Sequence, residues 1–240
     1  MPLFGYFNSS YLLMVFLPTM AITMFAQWKV RSAFAKWNQV PNERGLNGVQ
    51  TAKLIMDGSN LAHVGVARVP GELTDFYDPR DKSIHLSDGS TGFPSVAAMA
   101  VVAHELGHAE QDQTGDVMMR LRAGIVPISQ LGTRLGPMLV LVGVVLRGML
   151  GVFGETIAVV GVVLFGAGVL FTLFTLPVEF DASRRAKANL YRLNLVSAGE
   201  QKGVSEVLDA AALTYVVAAA AAILQLFYYL SILGVGRRRS

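Results

Sequence analysis

The stretch SVAAMAVVAHELGHAEQDQTG, from Ser95 to Gly115, decides how this chain is interpreted. It is rich in alanine, and it follows Pro94, a residue that fits the first turn of a helix. The pattern predicts a helix that continues to about Gln111. Two histidines, His104 and His108, are four residues apart and therefore lie on one face of that helix.

Glu105 directly follows the first histidine, so the helix carries the pattern H-E-x-x-H. Two imidazoles one turn apart can bind one Zn²⁺ at ~2.0–2.1 Å. A carboxylate at the next position can take a proton from zinc-bound water and pass it to a leaving amine. The alternative is a buried helix with two ordinary histidines. The alanines and valines around the motif predict burial, where unpaired imidazoles and an unpaired carboxylate would be costly, and this favours a metal site.

Two further observations support the metal interpretation. The chain has four histidines, and two of them fall in this motif. Gly107, between them, provides a position where another backbone can approach closely.

The composition points to a membrane. Hydrophobic residues make up 52% of the 240 residues and charged residues 15%, whereas a soluble protein usually has about 25% charged residues. Mean hydropathy is +0.46. Three uncharged stretches each exceed the ~20 residues that cross a ~30 Å hydrocarbon core. They are residues 1–28, 156–178 and 210–236, and a weaker fourth stretch, 123–149, contains Arg134 and Arg147, which could reach the interface.

These stretches divide the chain into five segments. Residues 1–28 form an N-terminal anchor rather than a signal peptide, because no positive charge precedes the apolar run. Residues 29–122 form a polar block with the H-E-x-x-H helix, and residues 123–178 a transmembrane hairpin. Residues 179–209 form a short polar helix, and residues 210–240 a last span with a basic tail.

The distribution of basic residues predicts the orientation in the membrane. The positive-inside rule places the 29–122 and 179–209 segments in the cytoplasm, the N-terminus outside and residues 148–155 outside. The basic tail GRRRS would then lie outside if all four stretches cross the membrane. Either the rule fails at the tail, or one stretch is interfacial or re-entrant.

The segment ELTDFYDPRDKSIHLSD, residues 72–88, predicts a β-hairpin. DPRD, from Asp78 to Asp81, is a turn signal, and the residues after it alternate, with Ile84 and Leu86 on one face and Ser83 and His85 on the other. The following SDGSTGFPS predicts a loop. We expect an extended substrate to add along an edge strand near Ser83 to Leu86.

A catalytic zinc needs a third protein ligand and an open fourth position. The chain has no cysteine, so the ligand must come from histidine, a carboxylate or the backbone. FTLPVEFDASRRAKANL, residues 174–190, supplies Glu179 and Asp181. Two spans lie between His108 and Glu179, and they return the chain to the same side of the membrane.

Four motifs together resemble the YugP-type family of bacterial membrane zinc metallopeptidases, over about residues 5–235. They are TDFYDPRDKSIHLSD, AMAVVAHELGHAEQD, LPVEFDASRRA and VLDAAALTYVVAAAAAILQL. The resemblance implies a mainly α integral membrane protein with about four transmembrane helices. It also implies a cytosolic zincin-like α+β metalloprotease domain with a small β-hairpin or sheet. His104, His108 and Glu179 would be zinc ligands, and Glu105 the general base.

The ligand pattern is also similar to that of CAAX-protease-like and heat-shock membrane metalloproteases. Those enzymes have an aspartate where Ser183 stands here, so Asp181 is the candidate carboxylate for orienting a ligand imidazole. Tyr77, His85 and Arg184 are candidate donors to the oxyanion. For His85 a solvent-facing position on the strand is the simpler interpretation.

We therefore expect a multi-pass protein of the bacterial inner membrane, with lipid as a partner and its active site facing the cytoplasm. Its substrate would be a membrane-associated polypeptide. Nucleic acid is not expected, because basic residues do not cluster with aromatic ones. A zinc-binding scaffold or chaperone without peptidase activity is the alternative, but such a protein would not need Glu105 as a general base. A transporter is less favoured, because no internal repeat is present.

Overall fold

The computed structural model describes residues 11–234, without the side chains of Ala123, Ile125, Pro127 and Ile128. The predictions for the first ten residues of the anchor and for the GRRRS tail lie outside the described residues. A short π-helical segment, Leu12–Phe16, precedes seven α-helices and three strands. In chain order these are α1 (Leu17–Asn38), α2 (Gly48–Gly58), β1 (Gly65–Val69), β2 (Phe76–Asp78), β3 (Ser83–Ser87), α3 (Asp88–Gly92), α4 (Val96–Gln113), α5 (Val117–Leu150), α6 (Val152–Arg192) and α7 (Ala198–Ile232).

The described chain is mainly helical and carries one small sheet, as the sequence predicts. Four helical stretches are long and apolar enough to cross a membrane, which confirms the predicted number. They are Leu12–Asn38, Ser129–Leu150, Val152–Arg192 and Ala198–Ile232. The second of these overlaps the stretch 123–149, which the sequence predicted less strongly as a span because it contains Arg134 and Arg147.

The predicted separate helix over residues 179–209 is not present. Instead, α6 continues without a break through Pro177 to Arg192, and α7 begins at Ala198. The boundary was predicted at residue 178 because the uncharged stretch ends there and Glu179 follows, but a change from uncharged to charged residues does not by itself end a helix. The division into five segments by side of the membrane stays a prediction.

The contacts group the described chain into two compact units. The first contains residues 11–25, 121–175 and 215–234, and the second contains residues 26–120 and 176–214.

In the first unit, glycines allow α5 and α6 to pack backbone to backbone. A Cβ added at Gly132 would lie 2.4 Å from the carbonyl oxygen of Leu164, and one added at Gly161 would lie 2.6 Å from the amide nitrogen of Val140. Small residues at such positions are typical of helix pairs in membranes.

In the second unit, β3 is the central strand of a sheet with the order β1-β3-β2. It is antiparallel to β2, with Tyr77 opposite Ile84, and this confirms the predicted hairpin. It is parallel to β1, with Val66 opposite Ile84. The prediction that β3 offers a free edge to a substrate was therefore wrong, because β1 occupies that edge.

The predicted loop over residues 87–95 contains a short helix, α3. The side-chain oxygen of Ser87 accepts a hydrogen bond from the backbone N–H of Ser90 and so caps this helix. Serine satisfies an unpaired helical N–H in this way. The composition of this segment predicts a loop, but the capping contact of Ser87 stabilises a short helix there.

Helix α4, which carries the H-E-x-x-H motif, is almost entirely buried in the second unit. Ser95 caps its start by accepting from the N–H of Ala98, at 3.0 Å, and Gly115 follows its end with φ +65°. The predicted helix is thus confirmed, with its end two residues later than expected. Its apolar side chains pack in one core with residues of α2, β3, α6 and α7. From α4 the core contains Val96, Met99, Val102 and Leu106, and from the other elements it contains Ile55, Ile84, Leu190 and Leu208.

Candidate metal centre

Three potential metal ligands meet between α4 and α6. His104 and His108 lie one turn apart on α4, and Glu179 reaches them from α6. Oε2 of Glu179 is 3.3 Å from Nε2 of His104 and 3.5 Å from Nε2 of His108. One ligand atom from each residue can be chosen so that all three lie within 4.8 Å of one another. The Glu179 side chain is 1% exposed, so these groups share a buried site.

The two distances from Glu179 fit a zinc ion. A tetrahedral site with ligands at ~2.0–2.1 Å has edges of about 3.3–3.4 Å. The two distances from Glu179 to the imidazoles are close to that edge. Two imidazole nitrogens and one carboxylate oxygen form a donor set that suits zinc, and three protein ligands leave a fourth position open.

Gly107 brings the two ligand-bearing helices together. A Cβ added at this residue would lie 2.5 Å from the carbonyl oxygen of Ala182 in α6. The backbones of α4 and α6 are therefore in contact at Gly107, where any side chain would clash with Ala182. This confirms Gly107 as the predicted close-approach position and explains how Glu179 reaches the two histidines.

Each imidazole has a second polar partner on its Nδ1 side. The Ser183 hydroxyl is 3.1 Å from Nδ1 of His104, and Oε1 of Gln111 is 2.9 Å from Nδ1 of His108. Such partners hold an imidazole so that Nε2 faces the metal. The Nε2 atoms of both rings face Glu179 here, as the zinc interpretation requires.

Asp181 occupies a different place from the one expected. It was predicted to orient a ligand imidazole, but its Oδ2 accepts a hydrogen bond from Nε2 of Gln111 at 3.0 Å. Arg185 donates to the same oxygen at 2.7 Å, and Arg184 forms an ion pair with the other oxygen. Asp181 thus supports His108 through Gln111.

Glu105 is buried beside the ligands. Burial is the largest influence and raises the pKa of its carboxyl group to about 7, and the negative charges of Glu179 and Asp75 act in the same direction. His104 and a hydrogen bond from the backbone of Tyr77 oppose this rise. A carboxyl group with a pKa near neutrality can both accept and donate a proton at physiological pH.

The candidate oxyanion donors all have other partners. The Tyr77 hydroxyl donates to Oδ2 of Asp112 at 2.6 Å. His85 stacks on Phe76, its cross-strand neighbour, with ring centroids 4.3 Å apart, on the face of the sheet opposite to Ile84. Arg184 pairs with Asp181, and its side chain is 79% exposed. The ligand cluster therefore brings together Glu179 and the H-E-x-x-H residues, but not these three donors.

The sequence interpretation missed Gln111 and the contact of Ser183. Gln111 is three residues after His108 on the same helix, a spacing that places the two side chains side by side. That signal was available in the motif itself. The contact of Ser183 depends on how α6 crosses α4, which no local pattern in the sequence reveals.

A pocket of about 510 Å³ in the second unit is lined in part by Gln111 and Asp181. Met118, Pro177, Phe180 and Arg184 contribute to its wall, whereas none of the three ligand side chains does. The pocket is therefore distinct from the space between the ligands.

The fold and the site define a class: a chain whose described part has four apolar helices long enough to span a membrane and a candidate metal centre of the H-E-x-x-H type. Comparison with known proteins identifies the family. The chain belongs to the family described as "Putative neutral zinc metallopeptidase", whose model matches residues 12–234. The resemblance inferred from the four motifs is thereby confirmed. Zinc is the metal that the family implies, and His104, His108 and Glu179 could hold it.

A relative covers almost the same length. The chain is 39% identical to the "Putative membrane protease YugP" of Bacillus subtilis (strain 168) over 228 residues, which are 94% of this chain and 99% of the relative. The relative's name and the four apolar helices agree with a membrane protein. No solved structure matches the chain.

Proposed function

We propose that this protein is a membrane-bound, zinc-dependent metallopeptidase. His104, His108 and Glu179 hold the zinc ion, and Glu105 is the general base. One observation carries the proposal: a buried carboxylate oxygen lies 3.3 and 3.5 Å from two imidazole nitrogens, close to the edge of a tetrahedral zinc site, beside a second, buried glutamate. The family description and the name of the relative support the same activity.

The roles of the two glutamates follow from their surroundings. A bound zinc ion would polarise the scissile carbonyl and acidify a water molecule. Glu105, whose pKa is raised to about 7 by burial, accepts the proton of the attacking water and later delivers it to the leaving amine. Glu179 faces the imidazoles directly and therefore serves as the third ligand.

The free edge of β2 is the surface on which we place an extended polypeptide. The backbone of Tyr77 is close enough to the Glu105 carboxyl to lower its pKa, which places β2 beside the H-E-x-x-H helix, and β2 pairs with β3 on one edge only. A peptide that adds to this edge lies beside the proposed base. This position replaces the one first expected on β3.

We further propose a multi-pass location in the bacterial inner membrane with the active site facing the cytoplasm. Four apolar helices and the bacterial membrane relative support the location. Fifteen basic residues in segments 29–122 and 179–209 support the orientation. Substrates would then be polypeptides in or near the membrane.

A cleavage assay in detergent or lipid nanodiscs tests the activity. We expect wild-type protein to cleave casein or itself, to lose activity with a chelator and to regain it with added zinc. Glu105→Gln should lower the rate by at least about 10²–10⁴-fold, because it removes the general base. Glu43→Gln makes the same chemical change at an exposed residue that bonds to Ser197, and it should have no effect. Cleavage by Glu105→Gln at the wild-type rate would contradict the proposal, and a zinc-loaded wild type without activity would favour the scaffold alternative.

A further inference from the structure

Gln111 is a fully buried amide between a proposed zinc ligand and the other ligand-bearing helix. Its side chain is 0% exposed. Its Oε1 lies 2.9 Å from Nδ1 of His108, and its Nε2 lies 2.8 Å from the backbone oxygen of Val178 and 3.0 Å from Oδ2 of Asp181. One amide therefore makes three polar contacts in the interior of the protein.

The partners determine which way the amide points. A backbone carbonyl and a carboxylate only accept hydrogen bonds, so the group that faces Val178 and Asp181 must be the NH₂ of Gln111. The oxygen of the amide then faces His108. Because this oxygen can only accept, Nδ1 of His108 must carry the proton.

We infer that Gln111 is a positioning residue that holds His108 in the Nδ1–H tautomer. In this tautomer Nε2 has a lone pair, and that atom is the one 3.5 Å from Glu179. Metal ligation needs a free nitrogen lone pair, so the amide prepares the ring before the metal binds. The inference rests on the proposed role of His108 as a zinc ligand.

The anchor of the amide is the helix that supplies Glu179. Val178 immediately precedes Glu179 in α6, and Asp181 follows it by two residues. Arg185 and Arg184 in turn hold the carboxylate of Asp181. Gln111 therefore connects one proposed ligand to the backbone that carries another, so a shift of α6 would disturb both.

The partner of His104 does not fix the tautomer of its imidazole in the same way. Its Nδ1 faces the Ser183 hydroxyl at 3.1 Å, and a hydroxyl can either donate or accept. The hydroxyl is therefore compatible with both tautomers of His104. The two imidazoles of the motif differ in this respect, and the difference is measurable.

The first test reads the tautomer directly in zinc-free wild-type protein. Nitrogen-15 NMR of labelled histidines distinguishes Nδ1–H from Nε2–H at alkaline pH, where imidazoles are neutral. The chain has four histidines, so His108 can be assigned by comparison with a His108→Asn sample. We expect His108 to be Nδ1–H in the wild type and Nε2–H in Gln111→Leu. An Nε2–H signal for His108 in the wild type would overturn the inference without any variant.

The second test measures zinc affinity by competition with a chromophoric chelator. Gln111→Leu should weaken zinc binding about 10–100-fold, as is typical when the support of a ligand imidazole is lost. Gln113→Leu is the matched control, since Gln113 is on the same helix and donates to the backbone oxygen of Asn60 rather than to a ligand imidazole. Equal affinity in Gln111→Leu and wild type would contradict the inference.

The two tests separate this inference from the proposed function. A wild type that binds zinc through these residues but cleaves no peptide would remove the peptidase proposal and leave the role of Gln111 intact. A wild type that cleaves peptides while Gln111→Leu keeps both its zinc affinity and the His108 tautomer would support the peptidase proposal and remove the role of Gln111.

Discussion

At the scale of single residues, Asp112 connects the β-hairpin to the H-E-x-x-H helix. Its Oδ2 accepts hydrogen bonds from the Tyr77 hydroxyl at 2.6 Å and from Nζ of Lys82 at 2.5 Å. Burial, followed by the bond to Asp112, raises the pKa of the Tyr77 phenol above its usual value. The phenol has one proton, and that proton is donated to Asp112, so we expect Tyr77 to be a structural residue rather than a donor to a reacting oxygen.

Tyr77→Phe separates these two roles. We expect a loss of about 1–2 kcal/mol in the free energy of unfolding, because a buried hydrogen bond to a charged group is removed. Peptidase activity per folded molecule should change by less than about threefold. Thermal unfolding in detergent and the casein assay measure the two effects. A fall of about 10²–10³-fold in kcat with unchanged stability would instead identify Tyr77 as an oxyanion donor.

Asp112→Asn should change how stability depends on pH. Burial alone would raise the pKa of Asp112, but hydrogen bonds from Lys82 and Tyr77 outweigh it and hold the pKa below its usual value. A carboxylate with a lowered folded-state pKa stabilises the protein above its unfolded pKa of about 3.9 and ceases to do so as pH falls through the folded pKa. Wild type should therefore melt higher than Asp112→Asn at neutral pH, and the gap should close below about pH 4. A gap that widens on acidification would refute this assignment.

At the scale of elements, the site depends on the contact between α4 and α6 at Gly107. Any side chain at this position would meet the backbone of Ala182, which cannot rotate away. The two helices would have to separate, and Glu179 would move away from His104 and His108.

Gly107→Ala should therefore destabilise the protein by about 1–3 kcal/mol, as is typical of overpacking, and weaken zinc binding at least about tenfold. Gly92→Ala is the control, because a Cβ at Gly92 meets no atom within 4 Å. Melting temperature and chelator competition measure the two quantities. Zinc binding that is unaffected in Gly107→Ala would show that the close approach does not set the ligand geometry.

The elements that the sequence predicted correctly are those with local causes. Helix α4 has a capping serine and a helical run, and the hairpin has a turn signal and alternating residues. The position of β3 at the centre of the sheet was missed, because its parallel neighbour β1 is not joined to it by a short turn. Val66 of β1 and Ile84 of β3 are opposite each other but well separated in sequence. The continuity of α6 was missed because the predicted boundary rested on the end of the uncharged stretch at residue 178, and a helix can continue from apolar into charged residues.

The same distinction applies to the site. His104 and His108 are one turn apart, so a regular helix is enough to bring them together. Glu179 was expected because the resemblance supplied it and because two spans return the chain to the same side. Gln111, and not Asp181, contacts the His108 imidazole, and this depends on side-chain contacts across two helices that periodicity in the sequence does not reveal.

At the scale of the whole molecule, the orientation in the membrane is open to a direct test. The chain has no cysteine, so single cysteines can be added without a background. Lys53 is exposed in the segment placed in the cytoplasm, and Gly148 is exposed in the connection placed outside. We expect a membrane-impermeant maleimide to label Gly148→Cys in intact cells, and Lys53→Cys only after lysis. The opposite pattern would place the candidate active site outside the cytoplasm.

The measurement that tests the central claim most directly is the zinc content of purified protein, by elemental analysis. We compare wild type with Glu105→Gln, Glu179→Gln and the exposed control Glu43→Gln. The ligand assignment predicts one zinc per chain in wild type, in the control and in Glu105→Gln, and a clear loss in Glu179→Gln, because only Glu179 among these residues faces both imidazoles. A wild type that holds no zinc after expression with added metal, or a Glu179→Gln variant as rich in zinc as wild type, would contradict it.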